Sequence, residues 1–189
     1  MARTFTKVPQ DAFDNLQLDA GVLLTEFTPA ANPSLTDANI LGATTGGISV
    51  NCTPEYEDFA EDVDNAPTNL KEFKILTSWS CTFSTTLLNL STDGAKKILG
   101  AADIDGTDAH KVTPRRELKT EDFFDLWWVG DKADGGYVAV KLINALSTGG
   151  FSLQTSKNAK GQISVEFTGH VSLANQDVMP MEFYIYDGT

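Results

Sequence analysis

Cysteine and histidine are both scarce in this chain, with two residues of each among 189. Cys52 and Cys81 are too few for a disulfide framework, and both stand in segments that alternate like strands. We expect buried thiols, in preference to the alternative of one disulfide. His110 and His170 belong to no nucleophile motif, and the four residues are too scattered for a structural zinc site. The sequence therefore predicts no enzyme, no metal site and no cofactor.

Basic residues are few, since 14 Lys and Arg stand against 26 Asp and Glu and give a net charge of −12. A protein that grips phosphates through complementary charge would carry the opposite balance. No glycine-rich phosphate-binding motif is present, and no apolar run approaches the length of a membrane span or follows the first residues as a secretion signal. We expect neither tight nucleic-acid binding nor a membrane location.

What the sequence does contain is strand-like alternation. Five of the seven odd-numbered positions from 75 to 87 are apolar, whereas the even positions between them are mostly Ser and Thr. This pattern predicts a long strand with one buried face and one hydroxyl-rich face. The predicted strands lie at 21–27, 40–51, 75–87, 123–129, 137–143, 151–155, 163–173 and 181–186, with a bulge or bend at Gly46–Gly47.

These strands predict a mainly β fold, an antiparallel β-sandwich or barrel of about eight strands. One short flanking helix is expected at about 93–100, with Thr92 or Asp93 as its N-cap and Gly100 ending it. The chain has the length of one domain, at 21–189, preceded by a polar N-terminal arm at 1–20. A long inter-strand loop is expected at about 53–71.

Two acidic segments are candidate cation-binding sites. Asp103, Asp105 and Asp108 have the spacing of an oxygen-rich calcium loop, but the glutamate that would complete the pattern is missing. The carboxylates in the predicted loop are typical of a solvated acidic surface rather than of paired catalytic acids. We therefore interpret both segments as solvent-exposed turns and loops.

Between Gly21 and Asp103 the chain resembles phage and prophage major tail tube proteins. The resemblance lies in LLTEF, in ILGATTGGISVNCTPEYEDFAEDVDNAP, in ILTSWSCTFSTTLLNL and in the helix leading into LGAAD. It implies a structural subunit of which six copies form a ring, with rings stacked into a hollow tube through which DNA passes without specific binding. It also implies the tape measure, tail tip and terminator proteins as partners, and the virion tail, built in the bacterial host cytoplasm, as the location.

The resemblance assigns a role to the acidic loop, because long loops in this family bridge stacked rings. We predict that its carboxylates contact an adjacent subunit, where Arg115, Arg116 and Lys119 could receive them. The predicted acidic contact residues are Glu55, Glu57, Asp58, Glu61, Asp62 and Asp64. The arm at 1–20 is a second segment expected to reach a neighbour.

Two alternatives stay open. One is a non-catalytic β-sandwich binding module for carbohydrate or adhesion, in which one of the adjacent Trp127 and Trp128 would stack on a sugar ring. The other is a different tail component, such as the inner tube of a contractile tail or a tail-completion protein, because related sandwich folds can serve all of these roles.

Overall fold

Ten strands and one α-helix follow one another in the computed structural model, which describes residues 7–9, 11–31 and 33–188. The strands are β1 (Val22–Leu24), β2 (Thr44–Asp58), β3 (Lys74–Leu87), β4 (Ala102–Ile104), β5 (Val112–Pro114), β6 (Phe124–Asp131), β7 (Tyr137–Ser147), β8 (Ser152–Gln154), β9 (Gln162–Thr168) and β10 (Met181–Tyr186). The helix α1 spans Thr92–Leu99, and 3₁₀ turns lie at Asp37–Asn39, Lys71–Phe73 and Thr120–Asp122.

Eight strands form one antiparallel sheet, and β4 and β5 form a separate two-stranded sheet. Strand β7 divides the large sheet into two limbs. Its first part pairs with β6 and β10, and its end pairs with β9 through Leu146 and Ser147. We call β1, β6, β7 and β10 the β7 limb, and β2, β3, β8 and β9 the β3 limb. Asn144, at φ +48°, lies where β7 passes from one limb to the other.

The main core contains side chains of both limbs, together with Ile98 of α1. Its fully buried members include Phe83 of β3, Phe167 of β9, and Leu126 and Leu142 of the β7 limb. Alternation in each strand turns these side chains to a common interior. The predicted mainly β, antiparallel fold is therefore confirmed, whereas the barrel alternative is not, because the sheet does not close in the part of the chain described.

The predicted helix is confirmed, and its caps explain its bounds. The side chain of Ser91 accepts a hydrogen bond from the backbone N–H of Gly94, so Ser91 is the N-cap rather than the predicted Thr92 or Asp93. Gly100 ends the helix with φ +73°, a conformation that costs glycine little. The Gly46–Gly47 bulge is also confirmed, since the β2–β3 register shifts between Thr45 and Ile48.

The loop predicted at 53–71 is wrong at both ends. Residues 53–58 continue β2, paired with β3 as far as Asp58 opposite Lys74, and a 3₁₀ turn begins at Lys71. The prediction failed because both faces of this part of β2 are largely solvated. Polar residues therefore occupy both faces, and the apolar–polar alternation that predicts a strand is missing. Pro54 fits within the strand because β2 is an edge strand, where an absent N–H costs no ladder bond.

The structure also differs from the prediction in two other segments. The strand expected to reach 173 ends at Thr168, where Gly169 lies so close to Leu142 and Pro180 that a Cβ would meet the Leu142 Cδ1 at 2.7 Å. Val171 and Leu173, predicted for its buried face, are instead exposed in the following loop. The segment at 103–120, predicted as a loop, includes most of the β4–β5 hairpin.

The prediction of two buried thiols is wrong. Cys52 of β2 and Cys81 of β3 stand directly opposite each other, 4.1 Å apart at their Cα atoms, and form a disulfide. Their alternating context correctly indicated strands, but only the β2–β3 register brings the two side chains together. The disulfide lies near the position where β3 begins to pair with β9, at Thr82.

The described part of the N-terminal arm docks on its own chain. The Leu18 N–H donates to the Asp131 carbonyl at 2.8 Å, and the Ala133 N–H donates to the Leu16 carbonyl at 2.9 Å. The Gln17 side chain donates to the same Asp131 carbonyl at 2.7 Å. Residues 1–6 and 10 of the arm lie outside the described residues.

A buried lysine ties the β6–β7 turn to the end of the chain. Lys132 is 4% exposed and forms ion pairs with Asp134, at 3.1 Å, and with Asp187. The hydrogen bond to Asp187 raises the pKa of Lys132 against the opposing effect of burial. The backbone N–H groups of Gly136 and Gly188 donate to Asp134, and these bonds are the main reason that its pKa falls from 3.8 to about 2.

Replacing both cysteines by alanine should destabilise the protein, because the disulfide restricts the unfolded chain over a separation of 29 residues. The expected loss in the free energy of unfolding is about 2–4 kcal/mol. Urea denaturation with and without reductant measures it: reductant should weaken the wild type and leave C52A/C81A unchanged. Two free thiols, titrated in denatured but unreduced protein, would contradict the pairing.

Asp134→Asn should destabilise the protein in a pH-dependent way. A carboxyl whose folded pKa lies below its unfolded value stabilises the fold above the unfolded pKa of 3.8 and loses that effect as the pH falls to about 2. The difference in urea midpoint between wild type and D134N should therefore be constant above pH 5 and narrow toward pH 2. A difference that does not vary with pH would count against this account.

Candidate assembly surface

The β2–β3 hairpin extends beyond the core, and its outer part is the surface considered first. Strand β3 pairs with β9 only from Thr82 onward, and the Gly169 N–H donates to the Cys81 carbonyl. Residues 53–80, which we call the distal hairpin, have β-ladder partners only within the hairpin itself among the residues that the structure describes. A two-stranded ribbon of this kind has no second sheet to cover its apolar side chains.

Large apolar side chains are exposed along the distal hairpin. Ile75 is 47% exposed although it shares the alternating phase of Phe83, which is fully buried. The buried face predicted for 75–87 is therefore found only from Cys81 onward, with Trp79 half-buried at the boundary. The other large apolar residues exposed here are Tyr56, Phe59, Val63, Phe73 and Leu76.

The end of the hairpin is ordered by Asp58. Its carboxylate accepts hydrogen bonds from the Ala60 N–H at 3.0 Å and from the Asn69 N–H at 2.8 Å. The Phe59 N–H donates to the Phe73 carbonyl and closes the ladder. Asp58 thus acts within its own subunit, by holding the two sides of the turn together.

The other predicted acidic contact residues differ in whether their carboxylates already have a partner in the same chain. Glu55 accepts a hydrogen bond from the Ser78 hydroxyl across the hairpin. The carboxylates of Glu57, Glu61, Asp62 and Asp64 are exposed, and they form no ion pair with any described residue. These four are therefore the acidic groups available to a partner, and we call residues 57–64 the acidic tip.

The predicted basic contact residues also differ in whether they are available to a partner. Arg115 is largely buried and forms ion pairs with Asp103 at 2.8 Å and with Asp122, whose side chain is fully buried. The Lys119 N–H also donates to Asp122, so this carboxylate organises the segment within the subunit. Arg116 is exposed and forms no ion pair among the described residues. Sequence reasoning missed the burial of Asp122, for which the sequence contains no signal.

The three aspartates considered for calcium do not form a cluster. Asp105 accepts hydrogen bonds from the Thr107 N–H and from Lys111 Nζ, which with the Asp108 N–H lower its pKa. Asp103 instead pairs with Arg115. Within the described ranges, no three His, Cys, Asp or Glu side chains are placed to hold a metal ion.

The face of the β3 limb opposite the core is rich in hydroxyl groups. Ser49, Ser84 and Glu166 lie side by side across β2, β3 and β9, and Asn51, Thr82 and Thr168 form the next row. An open cleft of about 620 Å³ follows this face beside the Gly46–Gly47 bulge. Among the described residues, no Lys or Arg lines this cleft.

A second cleft, of about 780 Å³, lies on the outer face of the β7 limb and is lined by aromatic rings. Tyr137 and Tyr186 stack with ring centres 4.8 Å apart, and the Tyr137 hydroxyl bonds to the backbone of Ala30. Trp127 is buried and Trp128 is half-buried, with its indole N–H donating to the Ala20 carbonyl. Neither indole stands out as an exposed sugar platform.

The two histidines lie in different parts of the fold. His110 is exposed in the β4–β5 turn, whereas the His170 ring packs edge-on against Phe123 with ring centres 5.3 Å apart. One ring nitrogen of His170 lies 3.2 Å from the Asn144 carbonyl. Asn144 also donates from its side chain to the His170 carbonyl, so His170 helps to hold the bend in β7.

Ile75→Ala and Leu76→Ala should each change the free energy of unfolding by less than about 1 kcal/mol, because these residues are 47% and 44% exposed. Phe83→Ala, in the same strand, should cost about 3–5 kcal/mol. Urea denaturation of the dilute protein measures all three. A loss for I75A equal to that for F83A would mean that the distal hairpin folds back onto its own subunit.

No described helix is long and apolar enough to cross a membrane. Comparison with protein-family models found no match, and comparison with curated proteins found no significant match.

Proposed function

We propose that this chain is a non-catalytic structural subunit, the major tail tube protein of a long-tailed bacteriophage. Six copies form a ring, and rings stack into the hollow tube through which DNA enters the host. The partners are further copies of the chain and the tape measure, tail tip and terminator proteins. The proposal rests on the sequence resemblance together with the surface of this subunit.

The observation that carries the proposal is the distal hairpin. Tyr56, Phe59 and Ile75 are each about half exposed on a ribbon that extends away from the core. Exposed apolar side chains concentrated on one element mark a surface that another protein covers. A stacking contact between rings would cover them, and the four open carboxylates of the acidic tip would lie at its rim.

Open sheet edges support association within a ring. Strand β2 is the last strand of the sheet order, and β10 pairs only with β7. Phe183 and Ile185 of β10 are 60% and 67% exposed. Long edge strands with apolar side chains pair readily with other chains, and a closed ring pairs every such edge.

The hydroxyl-rich face suits the lumen of a tube that conducts DNA. The cleft on this face is lined by small polar side chains and Glu166, without a basic residue that would bind phosphate. Each subunit carries a net charge of −12, which repels DNA and keeps it from adhering as it passes.

The second candidate is a β-sandwich binding module, and the aromatic cleft of the β7 limb favours it. Phe27, Tyr137 and Tyr186 line this cleft beside Asp131 and Asp187, a combination of rings and carboxylates that suits a sugar. A module of this kind leaves the exposed distal hairpin without a role. An inner tube of a contractile tail and a tail-completion protein remain variants of the first proposal.

Negative-stain electron microscopy of the concentrated protein, with light scattering for mass, tests the proposal. Six-fold rings or hollow tubes are expected. A strict monomer at every concentration, still monomeric after addition of a matching tail-tip complex, would instead favour the binding module.

Removing the distal hairpin should abolish tube formation without unfolding the subunit. Pro54 and Trp79 are directly paired, so Asn-Gly in place of residues 55–78 closes a shortened hairpin at that position. The variant should keep its cooperative unfolding and remain as rings or monomers. Tubes of normal length from the shortened hairpin would contradict an inter-ring role.

A further inference from the structure

The two ends of the β3 limb carry opposite charge. Around the acidic tip, residues 55–74 contain seven carboxylates and two lysines. At the turn between β8 and β9, Lys157 and Lys160 are exposed, and residues 151–165 contain no Asp or Glu. We call residues 155–161 the lysine turn. Neither lysine forms an ion pair with a described residue.

The strand register places these two features at opposite ends of one sheet. Lys74 pairs with Asp58 beside the acidic tip, whereas Leu87, at the other end of β3, pairs with Ile163 directly after the lysine turn. At about 3.3 Å per residue, β3 alone separates the two ends by about 43 Å. The acidic tip therefore cannot contact the lysine turn of its own subunit.

Exposed apolar side chains accompany the charge at both ends. Phe59 and Val63 stand beside the acidic carboxylates, and Phe151 and Leu153 stand on or beside β8, which leads into the lysine turn. The two surfaces therefore match in two respects, since each offers apolar contact area and each carries charge of the sign that the other lacks. Such matching between different surfaces of one molecule produces head-to-tail association, which extends without limit when it does not close.

We propose that the lysine turn of one copy receives the acidic tip of a second copy, with Lys157 and Lys160 opposite Glu57, Glu61, Asp62 and Asp64. This contact rests on the proposed function and gives the stacking of rings a polarity, because every distal hairpin points toward the lysine turns of the next ring. Exposed ion pairs are individually weak and are screened by salt. Assembly is therefore salt-sensitive, and the apolar side chains supply the remaining attraction.

Charge reversal tests the contact. K157E/K160E and E61K/D62K should each reduce the fraction of protein in sedimentable tubes at least tenfold, and the variant with all four changes should recover it. K96E/K111E is the matched control, because it reverses the same number of charges outside the lysine turn, the distal hairpin and the predicted basic contact residues; it should assemble like the wild type. Circular dichroism and urea midpoints equal to those of the wild type establish that each variant is folded.

The outcomes separate the two proposals. Wild-type protein that stays monomeric at every concentration, even after addition of a matching tail-tip complex, contradicts the proposed function itself. Wild-type tubes accompanied by normal tubes from K157E/K160E overturn only the lysine turn as the receiving surface. Equal loss for K96E/K111E and K157E/K160E also overturns it, because a general charge effect would then explain both results.

Discussion

Strand β7 belongs to both limbs of the large sheet, and this shared strand determines how the two limbs pack against each other. Its first residues pair with β6 and β10, and its last two pair with β9. One strand therefore joins the two limbs that enclose the core. Strand β7 passes from one limb to the other at Asn144. The Asn144 N–H donates to Asp125, and its side chain donates to the His170 carbonyl. Because β7 fixes how far the limbs overlap, it also fixes which part of β3 is buried.

That overlap explains the division of the β2–β3 hairpin into a buried base and an exposed outer part. Phe83 and Leu87 face the β7 limb and are fully buried, whereas Ile75 continues the same alternation with no sheet opposite it. The Cys52–Cys81 disulfide lies close to this boundary and joins the two strands there. A hairpin held at its base and apolar beyond it is suited to reach a second molecule.

Charge is distributed along the same axis. The long β3 strand separates an acidic end from a basic one, and the cleft beside its hydroxyl-rich face has no basic residue. A subunit with this layout has a direction, so repeated association through its two ends would build a polar assembly. The edge strands and the distal hairpin are separate surfaces, so in the proposed assembly they would contact different neighbours.

Elements with local sequence signals could be predicted from the amino-acid sequence. Alternation predicted β3 and β10 closely, Gly46–Gly47 predicted the bulge, and Gly100 predicted the end of the only α-helix in the described residues. Where both faces of a strand are solvated, as at 53–58, the period is lost and the same reasoning predicted a loop.

Which alternating faces are covered, and which distant residues meet, depends on how the whole chain packs. The pairing of Cys52 with Cys81 depends on register, and the burial of Asp122 beside Arg115 depends on the packing of several segments. The exposure of Ile75 depends on where the opposite limb ends. Alternation specifies the two faces of a strand, but burial requires a second surface, and the position of that surface is a property of the whole chain.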